Sequence, residues 1–198
     1  MKLVLATQNP KKLKEMNEIL RHLGVEVVSE AELGVRIEVE ETGETFTDNA
    51  RLKATAVMQA TGLPAVADDS GLCVDALNGG PGVYSARFGG EGLDDKGRYT
   101  LLLEMLRGQT DRAAHFHTSI VCAFPNGDEL VCEGECPGTI AFAPMGEGGF
   151  GYDPVFFVPE LRKTFGQLTA EEKASVSHRG KALCAFAAAL DDYLKGNE

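Results

Sequence analysis

The chain has 198 residues, 43% of them hydrophobic, enough for one domain with a real core or for two lobes. Its net charge of −11 argues against a nucleic-acid binder, whose affinity rests on neutralising phosphates with Lys and Arg. That charge leaves room for a small phosphorylated substrate, because a few local cations and a divalent metal can reverse the field inside a cleft.

Residues 2–6 read as a buried strand, and the apolar run Leu3-Val4-Leu5-Ala6 is too short for a secretory signal. Asn9 stands where a helix cap belongs and Pro10 at the first helical position. Leu13, Met16, Leu20 and Leu23 keep helical spacing until Gly24, and residues 25–28 form a second strand. This opening β-α-β predicts a sheet with crossover helices. Residues 37–41 read as an extended edge carrying acids. Residues 46–61 form a second helix, ended by Gly62 and Pro64. Residues 65–67 and 72–74 are expected as two strands flanking an Asp pair. A helix follows over 99–106, then a hairpin of 115–124 and 129–133 turning at Pro125-Asn126-Gly127-Asp128. Residues 139–143 and 155–158 are further strands, Thr169 to Glu172 a capping box, and Leu183, Phe186, Leu190 and Tyr193 the last helix. No run approaches a membrane span, and five cysteines, mostly inside apolar runs, suit a reducing compartment. The expected location is cytoplasmic.

Two segments carry the clearest chemistry. Thr7-Gln8-Asn9-Pro10-Lys11-Lys12 lies between a strand and a helix, where a helix N-terminus favours an anion and Lys12 adds a point charge. It is no Walker A loop. Ala67-Asp68-Asp69-Ser70-Gly71 places adjacent carboxylates between apolar runs, a cost that a divalent metal would relieve. Glu38, Glu40 and Glu41 form a second acidic cluster able to complete a metal shell. Lys53 sits on the second helix, and Lys173, His178 and Arg179 gather near the start of the last one. Gly146-Glu147-Gly148-Gly149-Phe150-Gly151 matches a dinucleotide fingerprint only formally, since a strand and not a helix follows it. It reads instead as a flexible loop bringing Phe150 and Tyr152 to a cleft where a planar base can stack.

Taken together, Thr7-x-Asn9-x-x-Lys12, Glu40-Glu41-Thr42-Gly43, Ala67-Asp68-Asp69-Ser70-Gly71-Leu72, Phe150-Gly151-Tyr152-Asp153-Pro154 and Ser177-His178-Arg179-Gly180 resemble the dITP/XTP (inosine triphosphate) pyrophosphatases in order and spacing, over nearly the whole chain. Gln8 departs from the Gly often found there. The resemblance implies an elongated α/β fold with a long central mixed sheet, flanked by helices, as a single domain over 1–198 whose two lobes enclose a cleft. It implies a homodimer, Mg²⁺ dependence, and hydrolysis of dITP, ITP and XTP to monophosphate and pyrophosphate, with no nucleic-acid or membrane partner. It places Asp69, supported by Asp68, in catalysis, and Glu40 with Asp69 at the metal, with Glu41 open as the alternative to Glu40 because a one-residue shift on a strand turns the side chain to the other face. Thr7, Gln8, Asn9, Pro10, Lys11, Lys12, Lys53 and Ser70 would hold the phosphates. Phe150, Gly151, Tyr152, Asp153, Lys173, His178 and Arg179 would hold the base. The alternatives are a pyrophosphatase for pyrimidine or modified guanine triphosphates, and a non-catalytic nucleotide-binding protein.

Overall fold

The structure is a computed structural model that describes residues 1–7 and 9–196. Strands β1 (Lys2–Leu5), β2 (Glu26–Ser29), β3 (Ala65–Val74), β4 (Ala113–Ala123), β5 (Glu129–Ile140), β6 (Phe156–Val158) and β7 (Lys163–Thr164) form one sheet. Their spatial order is β2-β1-β3-β4-β5-β6-β7. β1 pairs in parallel with both β2 and β3, whereas β6 is antiparallel to β5 and β7, so the sheet is mixed. The α-helices are α1 (Pro10–Leu20), α2 (Phe46–Thr61), α3 (Asp95–Met105), α4 (Ala170–Val176) and α5 (His178–Gly196). Among the described residues no helix is long and apolar enough to cross a membrane.

By its contacts the chain divides into two units. The first comprises residues 1–69, 118–134 and 181–198, of which 8, 197 and 198 lie outside the described residues. Within it, strand alternation sorts side chains onto two faces. Leu3, Leu5, Val66, Ile120 and Cys122 meet Met16 and Leu20 of α1 and Leu183, Phe186 and Leu190 of α5. Val4, Ala65, Ala67, Val121 and Ala123 face α2, where Ala50, Ala54 and Val57 are almost wholly buried. Small residues on both sides let α2 lie close to the strands.

The second unit comprises residues 70–117 and 135–180. Its core gathers Leu72, Val74, Leu102, Leu106, Tyr152 and Val155 around an aromatic cluster. Phe116 lies edge-on to Phe156 at 4.7 Å and parallel to Phe165 at 5.7 Å. The Arg112 guanidinium, 8% exposed, donates to the carbonyls of Leu106, Ile140 and Ala141 and so fastens the end of α3 to the end of β5.

Several elements differ from the expected ones. The Asp pair sits inside one unbroken strand, β3, not in a loop between two. The predicted strands 129–133 and 139–143 are the two ends of one strand, β5, which passes through Pro137 and Gly138. A Cβ on Gly138 would lie 2.6 Å from both the Phe156 ring and the Phe157 carbonyl, so this glycine is there for close approach to β6 and not to break the chain. Residues 35–43 belong to no helix or strand, which removes the predicted edge. The first helix stops at Leu20 and tightens into a 3₁₀ turn, Arg21–Leu23, before Gly24 at φ 65°.

Candidate active site

In the first unit, β3 decides the geometry. Because alternate residues of a strand point to opposite faces, Asp68 follows Val66 toward α1 and Asp69 follows Ala67 toward α2. Asp68 is 5% exposed and accepts from Lys12 Nζ at 2.8 Å. Asp69 meets α2, where Asn49 and Lys53 stand one turn apart on the same face. Lys53 Nζ lies 3.4 Å from Asp69 Oδ1, 2.8 Å from Glu41 Oε1 and 2.9 Å from the Asp68 carbonyl. Asn49 Nδ2 donates to Asp69 Oδ2 at 3.3 Å. The repulsion expected between neighbouring aspartates is therefore relieved by the pleat, each carboxylate having its own lysine.

Burial pushes the Asp69 carboxyl above its ordinary range, Lys53 opposes this, and nearby Glu41 adds to it. Lys53 is half-buried, which works against its charge, yet Asp69 and Glu41 outweigh that and its pKa is raised. The second acid at this cluster is Glu41, not Glu40. Glu41 reaches the cluster through Lys53, whereas Glu40 is exposed. Among the described residues no three His, Cys, Asp or Glu side chains form a group able to hold a metal. Two hard carboxylates, Glu41 and Asp69, still suit Mg²⁺, which takes one or two carboxylates and completes its shell with water and phosphate.

The Thr7 to Lys12 turn opens α1 as expected. Asn9 caps it, its Oδ1 accepting from Lys11 N at 3.0 Å, and Asn9 N donates to Thr7 Oγ1 at 3.2 Å. Pro10 holds the first position, and the first turn carries no acid to cancel the positive end of the helix. Thr7, Asn9 and Pro10 line a cavity of about 330 Å³ with Ser29, Glu30 and Arg36. Lys11 is exposed, and Gln8 lies outside the described residues. Ser70 follows Asp69 on β3 and is exposed.

In the second unit the glycine run is exposed but held by hydrogen bonds. Phe150 N donates to Asp153 Oδ2 at 2.9 Å, Gly151 N to Asp95 Oδ2 at 2.7 Å and Gly148 N to the Gly166 carbonyl at 2.9 Å. A Cβ on Gly149, whose φ is 78°, would fall 1.9 Å from Asp153 Oδ2. Phe150 is 76% exposed, but Tyr152 is 5% exposed and donates its hydroxyl to the Ser85 carbonyl at 2.9 Å. Tyr152 is thus a core residue and not a stacking surface, and burial lifts its phenol to about 12. Asp153 is 3% exposed and bonds Lys173 Nζ at 2.5 Å; burial nonetheless keeps its pKa raised. Lys173 Nζ lies over the rings of Phe150 at 4.8 Å and Phe165 at 5.2 Å. The His178 ring stacks on Phe116 at 4.7 Å and lies parallel to Phe165 at 6.4 Å. Phe165 therefore joins Lys173 to His178, and it escaped sequence reading because nothing sets it apart from an ordinary core phenylalanine. Arg179, the next residue of α5, is half-buried.

Known proteins are similar to this chain over nearly its whole length. A protein from Exiguobacterium sp. named dITP/XTP pyrophosphatase is 50% identical over 196 residues, covering 99% of this chain and all of its own. Another of that name from Thermus thermophilus is 52% identical, covering 97% of this chain and 93% of its own. The solved structure of a HAM1 protein from Coxiella burnetii superposes with a TM-score of 0.93 at 43% identity, covering 97% of this chain and 99% of that one. The model of the Ham1 family matches residues 3–189, and the chain belongs to that family.

Proposed function

We infer that the protein is a nucleoside triphosphate pyrophosphatase, a hydrolase that converts dITP, ITP and XTP to the monophosphate and pyrophosphate. Relatives of that name at about half identity over nearly the full length support this. The observation that carries the reading is the Glu41–Lys53–Asp69 cluster, with Nζ between two carboxylates. Lys12 and Lys53 counter the charge of the triphosphate, and the open N-terminus of α1 adds its dipole. Glu41 and Asp69 would hold Mg²⁺. When bound, that ion acidifies water and offsets charge developing on the phosphates.

Asp69, with its pKa raised by burial, orients the attacking water and takes its proton. The water oxygen bonds to the α-phosphorus as the bond to the β-bridging oxygen breaks, and that electron pair leaves with pyrophosphate. Asp68 acts through Lys12 and not on the water. Phe150, Asp153, Lys173, His178 and Arg179 bind the base. Donors there suit the 6-keto group of hypoxanthine and xanthine, while the 6-amino group of adenine leaves donor facing donor, at a cost of ~1–3 kcal/mol. We further propose a homodimer and a cytoplasmic location, as the family resemblance implies.

The test is product analysis with Mg²⁺ and dITP, dATP or dGTP in separate reactions. Pyrophosphate from dITP, with little from the others, is expected. Orthophosphate would make the protein a phosphatase, and release from dATP at an equal rate would remove the 6-keto selectivity. Asp69→Asn should abolish turnover in a protein that still melts cooperatively.

A further inference from the structure

Asn49 is fully buried on α2, and both ends of its amide are used. Its Oδ1 accepts from Gly43 N at 2.8 Å, and its Nδ2 donates to Asp69 Oδ2 at 3.3 Å. The Gly43 amide can only donate, so it fixes the direction of the amide and leaves Nδ2 facing the carboxylate. One turn on, Lys53 makes the matching pair of contacts, to Glu41 Oε1 and Asp69 Oδ1. The two side chains therefore bracket both oxygens of Asp69 and both ends of the segment 41–43. Gly43 is bound to this arrangement by space, because a Cβ there would lie 2.7 Å from Asn49 Oδ1 and 2.6 Å from Asp48 Cβ. The start of α2 is itself fixed, with Thr45 and Asp48 capping each other.

We propose that Asn49 is a positioning residue that holds Glu41 and Asp69 as one preset pair, ready for a divalent cation and a phosphate. Asn49 orders these groups through Gly43 and Asp69 without touching the substrate. This rests on the reading of Glu41 and Asp69 as the working acids. A shell residue of this kind typically sets metal affinity or activity by 10–100-fold, and small misplacement of a reacting group costs rate more than binding.

The experiment compares wild type, Asn49→Ala, Gly43→Ala and Asp69→Asn as full-length proteins. Three readouts are taken: thermal melting, steady-state kinetics with dITP, and direct Mn²⁺ binding by electron paramagnetic resonance without nucleotide. Asn49→Ala is expected to lower kcat by ~10²-fold and weaken Mn²⁺ binding by ~10-fold or more, with KM for dITP changed only a few-fold. Gly43→Ala, which breaks the same bracket from its other end, should move the same readouts in the same direction, and it carries the test if Asn49→Ala does not fold. A variant that melts lower but keeps wild-type kcat per folded molecule and wild-type Mn²⁺ affinity has lost only stability, and the proposal is overturned. Retained turnover in Asp69→Asn would remove the reading of the acids, and this inference with it. An inactive Asp69→Asn beside a wild-type-like Asn49→Ala would remove the role of Asn49 alone.

Discussion

Asp153 tests the balance between burial and pairing at a single residue. It bonds Lys173 and accepts from Phe150 N, and both contacts favour its charge, yet burial prevails and its pKa is raised above the ordinary 3.8. Between the two values the folded state binds more protons than the unfolded one, so ionising Asp153 costs stability. The difference in unfolding free energy, wild type minus Asp153→Asn, should therefore fall as pH climbs from the ordinary value through the raised one, then level off. Urea titrations across that range measure it, and a difference that grows with pH would mean that the Lys173 pair outweighs burial. The sequence made Asp153 and Lys173 visible as candidates. It hid their pairing, because 20 residues separate them and only the fold closes that distance.

Among the elements, α2 was the most legible. A mutual cap at Thr45 and Asp48 and a left-handed Gly62 mark both ends, and all these signals are local. β3 was the least legible, because Asp68-Asp69-Ser70-Gly71 has the composition of a turn. Those residues are tolerated in a central strand only because Lys12, Lys53 and Asn49 meet them from two helices, which no local pattern reveals. The run from Gly146 to Gly151 hid its contacts in the opposite sense. Its glycines suggested mobility, and the structure uses them to bring backbone against Gly166 and Asp153. Gly149→Ala, strained at φ 78° and overlapping Asp153, should cost about 1–3 kcal/mol of stability. It should also raise KM for dITP more than it lowers kcat, since it disturbs the carboxylate that holds Lys173. Chemical denaturation and steady-state kinetics check the two parts, and an unchanged KM would separate this loop from base binding.

For the whole molecule, the dominant electrostatic fact is the net charge of −11. Self-repulsion of that size opposes the compact state, and its range at low salt extends across much of a small protein. Raising NaCl from about 10 mM to about 0.2 M should therefore raise Tm. A falling Tm would mean that the paired charges at Lys12, Lys53 and Lys173 contribute more than the excess of acids removes. The opening β-α-β, patterned locally, predicted a sheet with crossover helices, while the long mixed sheet was expected only from the family resemblance. That Glu41 and not Glu40 meets Lys53 was not legible, since both lie in a segment without regular structure, where no period assigns a face.

The unbroken course of β3 makes the site a matter of parity. A substitution along Ala65–Val74 alters the contacts of one side chain, whereas a single-residue deletion ahead of Asp68 would exchange the partners of the two aspartates, turning one toward α2 and the other toward α1. Removing two residues would restore the faces and shift them along the strand by one repeat. Away from the two aspartates, variation in this stretch should then tolerate a change of letter more readily than a change of count by an odd number.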